Sequence, residues 1–157
     1  MKIIYKNKII MKRYILIFTT FLLIFIGSFS ACRKDIDSKI NIRIEKMIED
    51  TLLFYCHTEE IYPCSNYSIK YEYKQTSNNI YIIFKEIIKW DACATAFGPA
   101  RACINLGVLE NGTYNLYIQN GNIKHKGELT VSSDSYKINF RNNNKIKFIN
   151  KYLNKNN

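Results

Sequence analysis

Residues 67–74 read YSIKYEYK, with Tyr67, Ile69, Tyr71 and Tyr73 alternating against Ser68, Lys70, Glu72 and Lys74. A period of two sends successive side chains to opposite faces of an extended chain, so this stretch is a strand with one buried face and one wet face. The polar run QTSNN at residues 75–79 marks a turn, and residues 80–90 return as a second strand. There Ile80, Ile82, Phe84 and Ile88 occupy one face and Tyr81, Ile83 and Ile87 the other. Apolar residues on both faces predict a strand in the middle of a sheet.

The alternation continues downstream in short runs. Residues 91–101 form a loop of small residues containing Gly98-Pro99, after which Ile104, Leu106 and Val108 alternate with Asn105 and Gly107. Asn111-Gly112 signals a turn, Tyr114, Leu116 and Ile118 alternate with Asn115, Tyr117 and Gln119, and Asn120-Gly121 signals a hairpin. Ile123, His125, Leu129 and Val131 share a face, as do Tyr136, Ile138 and Phe140; after a break at residues 142–144, Ile146 and Phe148 form a last edge strand. Six or seven short strands with tight turns predict a mainly β domain, an antiparallel β-sandwich or, alternatively, a small antiparallel β-barrel or meander. Upstream, Ile40, Ile44, Met47, Ile48, Leu52 and Tyr55 recur at three- and four-residue steps. Residues 37–55 are therefore expected as a short helix capped by Asp37, against a competing strand at residues 51–56 and the alternation of Ile40, Ile42 and Ile44. The β domain is expected over residues 40–150, with a disordered basic tail at residues 151–157.

Residues 11–32, MKRYILIFTTFLLIFIGSFSAC, combine a cationic start (Lys12, Arg13), an uncharged apolar core and a run of small residues before Cys32. That order belongs to an export signal, and the apolar run is short for a membrane span. Phe29, Ser30, Ala31 and Cys32 resemble the lipobox of bacterial lipoproteins, with Phe29 where Leu is usual. The resemblance implies a signal peptide at residues 1–31, with Met11 as a plausible true start, and a diacylglyceryl group on Cys32 at the head of a tether at residues 32–39. Arg33 next to that cysteine resembles proteins released from the inner membrane, and the cluster from Arg33 to Asp37 resembles tags that carry some lipoproteins to the outer face. The expected location is the cell envelope, lipid-anchored in the outer membrane.

Residues 109–116, LENGTYNL, resemble the corner before the penultimate strand of fibronectin type III and other immunoglobulin-like domains. By that resemblance the sandwich would be immunoglobulin-like, and Tyr114 would turn its hydroxyl back to the corner backbone. A plain two-residue hairpin at Asn111-Gly112 is the alternative.

Export sets the cysteine argument, because thiols tend to pair outside the cytosol. Cys56, Cys64, Cys93 and Cys103 remain after Cys32, and the local pairs Cys56 with Cys64 and Cys93 with Cys103 are expected because each brackets a turn-like segment. No CxxC spacing favours a metal site with His57, and no cofactor is expected. Of 23 Lys+Arg and 13 Asp+Glu, five basic and no acidic residues precede Cys32, leaving the remainder with 18 against 13, or +5. Lys137, Arg141, Lys145, Lys147, Lys151 and Lys155 all follow the last carboxylate side chain, Asp134.

Neither His57 nor His125 is placed beside a nucleophile and an orienting carboxylate, Glu59-Glu60 are sequence neighbours that face apart, and no phosphate loop, HExxH or GxSxG pattern occurs. The expected function is therefore not enzymatic: a lipid-anchored envelope protein with a non-catalytic binding or structural β domain. Tyr71, Tyr73, Tyr81 and Tyr117 are candidates to stack on sugars or pack on a partner, with Lys145 and Lys147 as cationic contributors. The expected partners are the membrane through Cys32 and an envelope protein or anionic glycan, not nucleic acid. The alternative is an inhibitor or immunity lipoprotein that blocks an envelope-degrading enzyme or toxin. Residues 62–73, YPCSNYSIKYEY, are similar to the start of small lysozyme-inhibitor lipoproteins, although a charge of +5 has the wrong sign for steering towards a cationic lysozyme.

Overall fold

A computed structural model describes residues 36–156 apart from Ala92 and Ala94. The expected signal and Cys32 lie outside the described residues. Ten strands are drawn by the alternation of buried and exposed side chains: β1 (Ile40–Lys46), β2 (Thr51–Tyr62), β3 (Ser68–Thr76), β4 (Asn79–Ile88), β5 (Gly98–Val108), β6 (Gly112–Asn120), β7 (Ile123–Val131), β8 (Ser135–Asn139), β9 (Ile146–Phe148) and β10 (Tyr152–Asn154). They form one curled sheet in the order β10-β8-β7-β6-β4-β3-β5-β2-β1-β9. The mainly β expectation holds. The sheet is not antiparallel throughout, because β1 with β9, β3 with β5 and β4 with β6 run parallel.

The helix expected over residues 37–55 is instead a hairpin, β1 paired antiparallel to β2. Ile40, Ile42 and Ile44 all point into the core, as do Leu52, Phe54 and Cys56 across from them. The helical spacing arose from adding residues of two strands across their connection. That connection is a 3₁₀ turn (Ile48–Asp50) in which Glu49 and Asp50 adopt positive φ, 61° and 55°. It is held by an ion pair of Lys46 with Asp50 (3.7 Å) and by the Tyr136 hydroxyl donating to the Asp50 carbonyl (2.6 Å).

Strands β3 and β4 form a hairpin with Ser77 and Asn78 at its tip. The hairpin β6–β7 turns at Gly121 (φ 60°) and Asn122, one residue later than the Asn-Gly pair suggested. The β3–β4 hairpin is inserted between β5 and β6, so residues 109–111 must arch over its tip. Leu109 is buried under the arch, the Tyr114 hydroxyl donates to the Glu110 carbonyl (3.0 Å), and the Asn115 amide donates to the Asn78 carbonyl (2.7 Å). Asn111-Gly112 is therefore not a two-residue hairpin, since β5 and β6 are not paired.

The sheet is sealed by its C-terminal segment. β9 lies along the outer edge of β1 and β10 along the outer edge of β8, and only residues 149–151 separate them. Three residues span little more than about 14 Å between strand ends, so the two edges are drawn together. Along this seam the Ile149 amide donates to the Ile42 carbonyl (2.8 Å) and the Ile138 amide to the Lys151 carbonyl (2.8 Å). Asn150 acts as a piece of strand: its Oδ1 accepts from the Ile44 amide and its Nδ2 donates to the Ile44 carbonyl, both at 2.9 Å. Asn142 pairs with both backbone groups of Phe148 in the same manner, and Asn143 Oδ1 accepts from the amides of Lys145 and Ile146.

Residues 151–157, expected as a disordered tail, thus contribute β10. Lys155 is buried, with its ammonium 4.7 Å from the centroid of the Tyr136 ring. The expected tether is also partly ordered, because Ile36 is only 3% exposed and Lys145 Nζ donates to the Asp37 carbonyl (3.0 Å).

Truncating Asn150 to Ala would leave both backbone groups of Ile44 without partners at a part-buried edge. The expected loss is about 1–3 kcal/mol in chemical denaturation. Gly127→Ala should cost a similar amount, about 1–3 kcal/mol. A Cβ there would come 2.6 Å from the Phe140 ring and 2.8 Å from the Asn139 carbonyl oxygen, and only the ring can move aside.

Candidate functional site

The four tyrosines singled out from the sequence do not share one face. Register partners across a sheet point the same way, so pairing decides the matter. Tyr71 and Tyr73 lie opposite Phe84 and Ile82 and pack against the core, and burial raises the pKa of both phenols. The Tyr71 hydroxyl donates to the Cys103 carbonyl (2.9 Å), and that of Tyr73 donates to Gln75 Oε1 (2.7 Å).

Tyr81 and Tyr117 are partners in the parallel β4–β6 pair on the opposite, outward face. Their rings stack with centroids 4.9 Å apart and planes inclined by 9°. Lys126 lies across from Tyr117 on β7, with its ammonium 5.6 Å from the ring centroid, and Lys74 lies across from Tyr81 on β3. Four adjacent strands therefore present one row, Lys74, Tyr81, Tyr117 and Lys126: two stacked aromatic rings flanked by two cations. A cleft of about 400 Å³ opens beside Tyr81, lined by Glu72, Tyr73, Lys74, Thr76 and Ile83 as well. Tyr73 borders this cleft although its ring packs against the core, and Tyr71 does not border it. Lys74 and Lys126 were missed in the sequence. Each lysine faces its tyrosine across an antiparallel hairpin, and the parallel β4–β6 pairing joins the two hairpins into one row, which alternation within single strands does not reveal.

Of the other candidates, Lys145 spends its ammonium on the carbonyls of Ile36 and Asp37, whereas Lys147 is exposed on β9. The expected cysteine pairs are not formed. Cys64 is bonded to Cys93, joining the β2–β3 loop to the β4–β5 loop across a sequence separation of 29. In the chain-entropy treatment a loop of this size is worth roughly 3–4 kcal/mol. Cys56 and Cys103 are free thiols because the segments expected as turns are strand. β2 runs straight on from Cys56 to Tyr62, carrying Cys64 roughly 20 Å or more away. Cys103 belongs to β5 and faces outward, whereas Cys56 faces the core. Burial raises the Cys56 thiol far above its ordinary range, with a smaller contribution from Cys103.

His57, in β2, has its pKa lowered by partial burial first and then by the neighbouring positive charges of Arg43 and Arg101. His125, in β7, lies with Nδ1 3.2 Å from Asn143 Nδ2 and its ring edge-on to Phe140. Among the described residues no group of three or more His, Cys, Asp or Glu is placed to hold a metal ion. No protein-family model, curated protein or solved structure matches the chain.

Two outcomes check this arrangement. In a Cys32→Ser background, maleimide should add one label to the native protein, at Cys103, and a second at Cys56 only after unfolding. The His57 shift makes stability depend on pH. Its folded pKa is below the unfolded one, so the unfolded chain takes up the proton first; the contribution is intact above the ordinary histidine pKa and is lost as pH falls towards the lowered folded value. Thermal melts of His57→Gln should accordingly lose less stability than wild type over that window.

Proposed function

We propose that this chain is a lipid-anchored outer-membrane lipoprotein whose β domain is a non-catalytic binding module. The observation that carries the binding part is the row Lys74, Tyr81, Tyr117 and Lys126 on an outward sheet face. Stacked rings offer a flat apolar plate suited to the face of a sugar ring or an apolar side chain. The flanking ammonium groups favour a ligand that also carries carboxylate or sulfate, and an acidic glycan combines both properties. Tethering supports this reading: a lipid on Cys32 would stand only residues 33–35 away from the buried Ile36. That is a reach of roughly 14 Å, which holds the domain close to the membrane.

The anchor and the binding face are tested separately. Full-length protein expressed in a Gram-negative host should yield an N-terminal peptide beginning at acylated Cys32, and Cys32→Ser should leave the membrane fraction. In affinity electrophoresis through gels containing acidic or neutral polysaccharides, wild type should be retarded by an acidic one. Tyr81→Ala/Tyr117→Ala should run unretarded, and Lys74→Gln/Lys126→Gln should lose the preference for acidic over neutral glycan. Equal mobility of wild type and the double tyrosine variant in every gel would remove the glycan assignment.

A further inference from the structure

A second outward-facing site lies on β1, β2 and β5, away from the tyrosine row. His57 on β2 is the register partner of Arg101 on β5 and of Asn41 on β1, and Arg43, two residues along β1, is its diagonal neighbour. Diagonal neighbours are about 7–8 Å apart at the backbone, within reach of side chains as long as arginine. Arg43, His57 and Arg101 line a cleft of about 330 Å³ whose remaining walls are Tyr55, Pro99 and Ile149.

The charges around it do not cancel. On β1, Glu45 pairs with Arg43 (2.6 Å), and Lys39, just before β1, pairs with Glu59 of β2 (3.6 Å). Arg101 on β5 has no ion-pair partner among the described residues. Burial, and after it the nearby Glu45 charge, raise the Cys103 thiol above its ordinary range, so it supplies no negative charge and Arg101 leaves the cleft with an excess positive charge against walls that are partly apolar. Guanidinium groups present planar, paired N–H donors that match the oxygens of phosphate and carboxylate, and low-dielectric walls concentrate their field. A neutral imidazole beside them adds one further donor or acceptor.

We propose that this cleft binds an oxyanion of the phosphate type, with Arg101 and Arg43 receiving its oxygens and His57 completing the contact. Burial is the larger cause of the lowered His57 pKa, and the two guanidinium groups that would hold the anion add to it by disfavouring a proton on the ring. A bound anion would offset them and restore the proton. The inference does not depend on the lipid anchor or on the tyrosine row.

The chain contains two histidines, which makes the test direct. The ring resonances of His57 and His125 are followed against pH in full-length protein, with inorganic phosphate or with chloride at matched ionic strength. The expected result is a rise of about one unit in the His57 midpoint with phosphate. His125 serves as the internal control and should be unmoved. The rise should be absent in Arg43→Gln/Arg101→Gln, and if that variant fails to fold the wild-type titration decides alone. A His57 midpoint indifferent to phosphate, or shifted equally in the double variant, overturns the proposal. Vesicles of phosphatidylglycerol, against phosphatidylcholine, identify the source of the anion. Arg101-dependent co-sedimentation with the former assigns a lipid headgroup, and a response to free phosphate alone assigns a soluble one.

Discussion

A sheet that curls until its two edges approach each other leaves two rows of backbone N–H and C=O groups that must find partners. The rest of this domain depends on how they do. The partners come from one segment, residues 142–154, laid first along β1 and then along β8. Where its backbone cannot pair it uses asparagine, whose amide carries a donor and an acceptor on one rigid plane and so stands in for a peptide group. Asn142, Asn143 and Asn150 all serve the seam in this way. Asn120, fully buried at the end of β6, adds hydrogen bonds to the carbonyls of Ser38 and Lys145. The core behind the seam needs nothing unusual: it is built mainly of isoleucine, leucine and aromatic side chains that alternate inward along β1, β2, β4 and β6.

How much of this was legible depends on the range of the interaction. Alternation within a strand is local, and the inward faces of β3, β4, β6 and β8 follow from Ile69, Ile80, Leu116 and Tyr136 and their neighbours two residues away. Partner choice is not local. Parallel pairing of β4 with β6, insertion of the β3–β4 hairpin and bonding of Cys64 to Cys93 all join segments that alternation treats separately. The seam was hidden for a chemical reason, because asparagine runs ordinarily mark turns and frayed ends. The first hairpin was hidden for a geometric one, since Ile40, Ile44, Ile48 and Leu52 fit a helical step only if the left-handed turn at Glu49 and Asp50 is overlooked.

The two candidate surfaces were partly visible in the same sense. Tyr81 and Tyr117 were recognisable as outward strand residues, and Tyr71 and Tyr73 share the parity of buried Ile69, which already places them on the inner face. The cationic partners came from elsewhere than the Lys-rich end, where Lys145 and Lys155 are engaged in holding the fold. Besides the exposed Lys147 on β9, positive charge accessible to a ligand lies at Lys74 and Lys126 in one place and at Arg101 in another. Both surfaces are rigid because they are built on sheet rather than on loops, and a preorganised surface loses less entropy on binding.

The seam also sets an order of events. Residues 142–155 are synthesised after every strand that they seal, and β1, the first strand made, receives its outer neighbour only when β9 appears. Until then β1 has an open edge, and the long-range contacts that complete the sheet carry the highest loop-closure cost in the chain. A nascent chain of this design stays incompletely folded through most of its synthesis. Its last dozen residues therefore decide when the sheet closes, and a chain cut short of them would keep both edges open.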